Sequence, residues 1–302
     1  MRILITILLI LSFGYTDGQQ VINAHVRYRG FVSAAAQDLL LDSFPGAAAA
    51  YSLRKLDKDY TGPAIRVRKD TTGQPEQDIG FLPSGELDTV SLKSFLNQRS
   101  GFVAVWYNQA DSSGVFGVRN ATQATQANQP RIVDAGIIER RNGNIVIVNT
   151  DATDFFTTNR ILTNGGNMSV FIVHHNIGGT SDLIGNRSAS SGWIFGRSNV
   201  FFANVGRNQI STNVSGSLLS LSVLERNASN NLSYYRNGAE TGARSGNVGY
   251  VSSNSFLQIG RGGDTGNSGT NNIYCEFIIY ESSQSSNRTA IESNINSFYG
   301  IY

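Results

Sequence analysis

Along most of the chain, apolar residues come in short runs separated by clusters of Asn, Gly and Ser. Ala64-Ile65-Arg66-Val67-Arg68 alternates with period two, the mark of a half-buried strand, and Ile79-Gly80-Phe81 reads as its partner. Upstream, an alanine run leads into Tyr51, Leu53 and Leu56. The unbroken apolar run at 102–107 predicts a buried strand, and further strand-like runs lie at 145–149, 169–175, 193–196, 199–205, 218–224, 232–236, 256–259 and 273–280. Asn237-Gly238 is a strong hairpin turn, since both residues tolerate positive φ. Helical spacing appears at 88–96, with acidic residues just ahead, and at 287–302, where Ile291, Ile295 and Phe298/Tyr299 share one face. Many strands, frequent turns and few helices predict an all-β fold: an antiparallel two-sheet β-sandwich with short peripheral helices. No repeat or linker follows residue 46, so 47–302 reads as one domain after a lead-in at 19–46.

Composition narrows the function classes. Only 15% of the 302 residues are charged, and Asn, Ser, Thr and Gly fill the polar positions instead. Such a surface hydrogen-bonds more than it ionises. The formal charge is +2, with no Lys/Arg cluster, so no nucleic-acid partner is expected. Arginine outnumbers lysine twenty to four, which is compatible with ordered protein contacts and leaves a homo-oligomer open.

Residues 1–18 read as an export signal: Arg2, an apolar stretch at 3–13 too short to span a bilayer, then small and polar positions. The alternative is a buried N-terminal strand. No membrane span is expected in the mature chain. Cys275 is the single cysteine, so no intramolecular disulfide can form. Export without disulfides points to a secreted or cell-surface bacterial protein, or to a virion component. Seven Asn-X-Ser/Thr sequons, at Asn120, Asn167, Asn186, Asn213, Asn227, Asn231 and Asn287, say little in so Asn- and Ser-rich a chain.

Several blocks carry a resemblance: Ala50-Tyr51-Ser52-Leu53-Arg54-Lys55-Leu56, Val105-Trp106-Tyr107-Asn108-Gln109, Asn120-Ala121-Thr122-Gln123 with Gln129-Pro130, Gly262-Gly263-Asp264, and Phe277-Ile278-Ile279-Tyr280 before the terminal helix. Together they resemble the concanavalin A-like, laminin-G-like lectin-glucanase superfamily. In part they resemble the catalytic domain of the fungal α-L-arabinofuranosidase B family, and also modules of bacterial surface and tailed-phage virion proteins. The resemblance implies a jelly-roll sandwich. It also implies that Asp264 stands where that enzyme family has its acid/base, and that a glutamate nucleophile should follow the Trp193-Ile194 strand.

That nucleophile is missing. A retaining glycosidase needs two carboxylates about 5 Å apart. The nearest positions here hold Arg197 and Asn199, and 183–224 contains no Asp or Glu at all. An asparagine cannot form the glycosyl ester, but it offers a sugar both donors and an acceptor. The balance favours carbohydrate binding or adhesion over catalysis, with a surface glycan or polysaccharide as partner. A glycosidase pairing Asp264 with Asp182 or Glu225, and a self-assembling virion or fibre subunit, remain the alternatives. The candidate ligand-binding residues are Trp106, Asn108, Gln109, Asp111, Trp193, Asn199, Gly263 and Asp264. Trp106, Tyr107 and Trp193 are either stacking platforms or core, and Asp264 is either a ligand or a turn cap. His174 and His175, adjacent in a strand, point to opposite faces and cannot share a metal. No cofactor is expected; calcium held by Asp264 and Asn267 stays open.

Overall fold

The computed structural model describes residues 39–110, 119–158, 167–176, 182–188, 191–196, 199–202, 208–211, 218–229, 231–244, 256–263 and 272–302. The expected leader at 1–18, most of the lead-in, Asp111, Asp264 and Asn267 lie outside these residues. Among the described residues, no helix is long and apolar enough to cross a membrane.

Strand β1 is Ala49–Ser52, β2 Ile65–Lys69, β3 Glu76–Ile79, β4 Gly101–Trp106, β5 Ala121–Thr122, β6 Arg131–Asp134 and β7 Ile137–Ile138. A small hairpin, β8 (Arg140–Arg141) and β9 (Asn144–Ile145), precedes β10 (Ile147–Val148), β11 (Phe156–Thr158), β12 (Met168–Asn176) and β13 (Asp182–Gly185). Then come β14 (Trp193–Gly196), β15 (Asn199–Phe202), β16 (Asn208–Ser211), β17 (Ser220–Arg226), β18 (Leu232–Arg236), β19 (Ala239–Arg244), β20 (Gln258–Ile259) and β21 (Asn272–Tyr280). The helices are α1 (Leu40–Ser43), α2 (Thr89–Leu96) and α3 (Arg288–Tyr299).

The named strand pairs are antiparallel and form two layers. One runs β19–β18–β17–β12–β21, with β1 and β10 lying end to end along the far edge of β21. The other runs β3–β2–β4, continues with β5 and β6 end to end on β4, and extends through β5–β11–β20–β13–β14–β15–β16. The layers join at one corner, where Val148 of β10 pairs with Arg131 of β6. This is the expected sandwich.

Two β-bulges set which side chains meet between the layers. In β4 the register against β2 passes from Val105 to Val103, leaving Ala104 as the extra residue. In β21 the register against β12 passes from Glu276 to Tyr274, leaving Cys275 as the extra one. A bulge lets residues three apart point the same way, which regular alternation forbids. Tyr274 and Phe277 therefore both reach Trp106: the indole stacks on Tyr274 at 5.8 Å and 15°, and meets Phe277 edge-on at 5.9 Å. Tyr51 and Phe156 close the cluster at 6.0 and 6.1 Å. Farther along, Phe195 of β14 packs on Tyr234 of β18 at 5.7 Å.

Both helices form where the sequence predicts. The Asp88 carboxylate caps α2 by accepting from the Val90 and Ser91 amides at 3.1 and 3.0 Å. Helix α3 buries Ile291, Ile295 and Tyr299, an i, i+4, i+8 stripe, and ends at Gly300 in the left-handed region. Two details differ from expectation. The partner of β2 is Glu76–Ile79 rather than 79–81, a polar edge strand whose first three side chains face solvent and so carry no apolar period. Leu40 and Leu41 belong to the core, so the packed unit begins upstream of Ala47.

Beneath α3 lies a buried ion pair. Arg54 grips Glu276 bidentately, Nε to Oε2 at 2.8 Å and Nη2 to Oε1 at 3.0 Å. Ser52 Oγ and Tyr299 Oη donate to the same carboxylate, and Arg54 Nη1 donates to Asn294 on the helix. Arg54→Ala leaves Glu276 charged and without its main counter-charge, so it should destabilise the fold by about 3–5 kcal/mol in urea titration. Nearby, buried Glu292 has Arg288 on one oxygen and no hydrogen-bond partner on Oε1 among the described residues. Burial first, then Glu225, raises its carboxyl pKa, while Arg288 opposes them. A raised folded-state pKa means this contribution is present below the unfolded value of about 4.3 and is lost as pH rises through the folded value. Glu292→Gln should therefore flatten the decline of melting temperature between mildly acidic and neutral buffer.

Candidate functional site

Strand β20 runs into Gly260-Arg261-Gly262-Gly263, the described stem of the glycine-rich loop. Gly260 and Gly263 have φ of +85° and +100°, in the left-handed region. The stem is fastened through its backbone. The Gly260 amide donates to the Leu183 carbonyl at 2.7 Å, and the Arg187 amide donates to the Gly262 carbonyl at 3.0 Å. Two fully buried asparagines hold it from behind: Asn272 Nδ2 donates to the carbonyls of Asp182 and Gly260, and Asn149 Nδ2 to those of Asp154 and Gly260. The Tyr274 hydroxyl donates to Asn149 Oδ1 at 2.6 Å, tying this bracket to the aromatic cluster.

The acid at the stem is Asp182, the first residue of β13 and 6% exposed. Its carboxylate lies against Gly262: a Cβ there would stand 2.4 Å from Oδ2. Arg187 and Arg261, both half-buried, flank the loop, and the Arg261 guanidinium sits 5.1 Å from the Phe155 ring centroid. Buried Asp154 has a different task. Its Oδ2 accepts from the Thr150 and Asp151 amides and the Thr150 hydroxyl, capping the turn behind the stem, while burial raises its pKa.

Several expected ligand contacts are structural instead. Trp106 and Trp193 are both 0% exposed, so neither indole offers a face to a sugar. Trp106 fills the space between the layers, and Trp193 shares its strand face with inward-pointing Phe195. Asn108 Oδ1 accepts from the Ala50 and Ala110 amides. Gln109 Oε1 accepts from the Leu56 amide, and its Nε2 donates to the Ser52 and Arg54 carbonyls. Most of the amide chemistry read as sugar recognition is used on the backbone of β1 and the residues after it, and among the described residues Asn108 Nδ2 is left without a partner. Gly263 is where expected, in the stem. Asn199 opens β15 opposite Ser211, with only its backbone described. Asp111 and Asp264 fall outside the described residues.

Of the two carboxylates weighed as partners for Asp264, Glu225 is remote: it accepts from Ser283 Oγ beside α3. Asp182 lies within the glycine stem. His174 and His175 diverge as alternation requires. His174 Nε2 meets Ser222 Oγ at 2.8 Å in the interior, while burial and then Arg141 lower the pKa of His175. Asn149, Asn272, Arg187 and Arg261 carried no sequence signal for this site; each sits in an Asn- or Gly-rich stretch like many others. Among the described residues, Asp42, Asp57 and Asp59 bring carboxylate oxygens within 4.8 Å of one another, but Lys58 pairs with Asp42 and Asp59, and backbone amides donate to Asp42 and Asp57. A Cβ at Gly263 would stand 2.3 Å from the Arg187 amide nitrogen, at a φ that L-residues avoid. Gly263→Ala should thus cost about 1–3 kcal/mol in thermal denaturation.

No family model matches the chain, and no curated protein matches it by sequence. Solved structures do. A GH54 α-L-arabinofuranosidase soaked with a cyclic sulfate inhibitor superposes with a TM-score of 0.60 at 13% identity over 82% of this chain. An arabinofuranosidase complexed with arabinofuranosyl-α-1,2-xylobiose gives 0.57 at 16% identity over 82% of this chain. A point mutant of the GH54 enzyme soaked with 4-nitrophenyl α-L-arabinofuranoside gives 0.60 at 15% over the same share. In each case the chain spans 62% of the matched structure's length. At this identity the likeness shows a shared β-sandwich fold.

Proposed function

We propose that the chain is a non-catalytic carbohydrate-recognition or adhesion module of the concanavalin A-like superfamily, displayed on a cell surface or a virion. Its ligand is a surface glycan, met at the glycine stem by the edges of Asp182, Arg187 and Arg261 and by the residues that continue the loop into Asp264. One observation carries the reading: 183–224, which supplies β14, β15 and β16, contains no Asp or Glu. Glycosyl transfer to the protein needs a carboxylate, whereas binding needs only donors, acceptors and a shaped edge. The similar sandwiches are enzymes with arabinofuranosyl ligands or inhibitors in their crystals, which supports a glycan as the ligand class.

A second reading has one observation of its own. Asp182 lies against Gly262, two positions before Asp264, so a retaining arabinofuranosidase could pair these two carboxylates. Purified protein should bind members of a glycan array and release no 4-nitrophenol from 4-nitrophenyl α-L-arabinofuranoside. Release abolished by both Asp182→Asn and Asp264→Asn would reverse the conclusion in favour of the hydrolase.

A further inference from the structure

Alternation after the β4 bulge sends Trp106 inward and Tyr107 outward, so Tyr107 is the one of the three candidate platforms that reaches solvent. It emerges onto the outer face of β2–β3–β4. There Arg66 of β2 grips Asp78 of β3 bidentately, Nε to Oδ1 at 2.8 Å and Nη2 to Oδ2 at 2.9 Å. The Tyr107 hydroxyl donates to the same Oδ1 at 2.8 Å. The Arg66 and Asp78 side chains are 41% and 40% exposed. Half-buried Tyr60, whose ring meets Phe81 edge-on at 6.4 Å, forms the rim.

We propose that Arg66, Asp78 and Tyr107, rimmed by Tyr60, form a second saccharide-recognition patch that takes a neutral glycan through a pair of vicinal hydroxyls. Donor and acceptor accounting carries it. Of a guanidinium's five N–H bonds, two are used on Asp78, and among the described residues the other three have no partner. Asp78 Oδ1 accepts twice and Oδ2 once, leaving Oδ2 a lone pair beside the guanidinium's remaining N–H groups. One hydroxyl of a vicinal diol can donate to that lone pair while its neighbour accepts from the guanidinium. Arg66 and Asp78 face each other in the register of β2 and β3 and the Tyr107 hydroxyl fixes Asp78, so little ordering remains for the ligand to impose. Burial, then the bond to Asp78, pushes the Tyr107 phenol up to about 12, so it stays a donor at physiological pH.

Charge selects the ligand class. Asp78 neutralises Arg66, and exposed Glu76 is close enough to act on the same guanidinium, so the patch has no net positive charge for an acidic glycan. The Tyr60 and Phe81 rings provide the apolar rim that a sugar's C–H face requires. Stability does not explain the arrangement, because an exposed ion pair contributes little to folding.

The inference rests on the carbohydrate reading but uses a different surface, so one experiment separates them. The full chain and its Arg66→Ala, Asp78→Asn and Asp182→Asn variants are applied to an array of neutral, sialylated and sulfated glycans, with a melting curve for each. The expected result is neutral hits whose apparent affinity falls about tenfold or more in Arg66→Ala and Asp78→Asn, at unchanged melting temperature. Undiminished binding in both variants, with loss in Asp182→Asn, would sink this patch and leave the proposed function standing. Hits confined to sialylated or sulfated glycans would also sink it. Wild-type protein that binds no glycan would remove both. Asp78→Asn keeps the side chain's shape, so it decides the matter if Arg66→Ala does not fold.

Discussion

The contact on which the rest depends is the stacking of Trp106 on Tyr274 between the two layers. The indole touches Tyr51 of β1, Phe156 of β11, and Tyr274 and Phe277 of β21, so one side chain joins both sheets. Each such aromatic pair is worth about 0.5–1.5 kcal/mol beyond its area burial. The consequence reaches the site through Tyr274, whose ring faces the indole and whose hydroxyl fixes Asn149, which in turn holds the Gly260 carbonyl. The position of the glycine stem is thus set by core packing. Both bulges are needed for this, because without the extra residues at Ala104 and Cys275 the rings would fall on opposite faces.

The low charge content has a structural reason that composition alone does not reveal. Irregular backbone runs at several depths in this sandwich, and its amides and carbonyls need partners. Neutral amide side chains supply them: Asn108 and Gln109 behind β1, Asn149 and Asn272 behind the stem, and Gln129, which donates to the Gln123 carbonyl while accepting from Arg68. An amide carries donor and acceptor at once and costs far less to desolvate than an ion. At buried Glu276 three side chains, Ser52, Arg54 and Tyr299, converge with four hydrogen bonds to satisfy the charge.

This division of labour explains what the sequence could and could not reveal. Alternation over 64–68, the helical stripe over 291–299 and the Asn237-Gly238 turn are local signals, and each appears as read, the turn with φ of +50° and +81°. Strands of two residues such as β5 and β7 contain no period to read. The edge strand β3 shows solvent its polar residues, and β13 is too short to stand out from the turns around it. Trp106 was legible as strand but not as to face, because the run around it is apolar throughout and a bulge inside it resets the alternation. The amides misled for a related reason: a sugar and an unpaired peptide group ask for the same hydrogen bonds.

The likeness to arabinofuranosidases can therefore be strong in shape and silent in chemistry. In this chain the bracketed glycine stem makes demands that are steric: no Cβ at 262 beside Asp182, none at 263 beside the Arg187 backbone, none at 185 beside the Trp193 carbonyl. None of these constraints requires a carboxylate on β14 or β15. Trp193 and Phe195 are buried within β14, so the packing of that strand does not depend on the residue types beyond Gly196. At 13–16% identity the superposition reports shape alone, which is why function has to be argued from the site and not from the superposition.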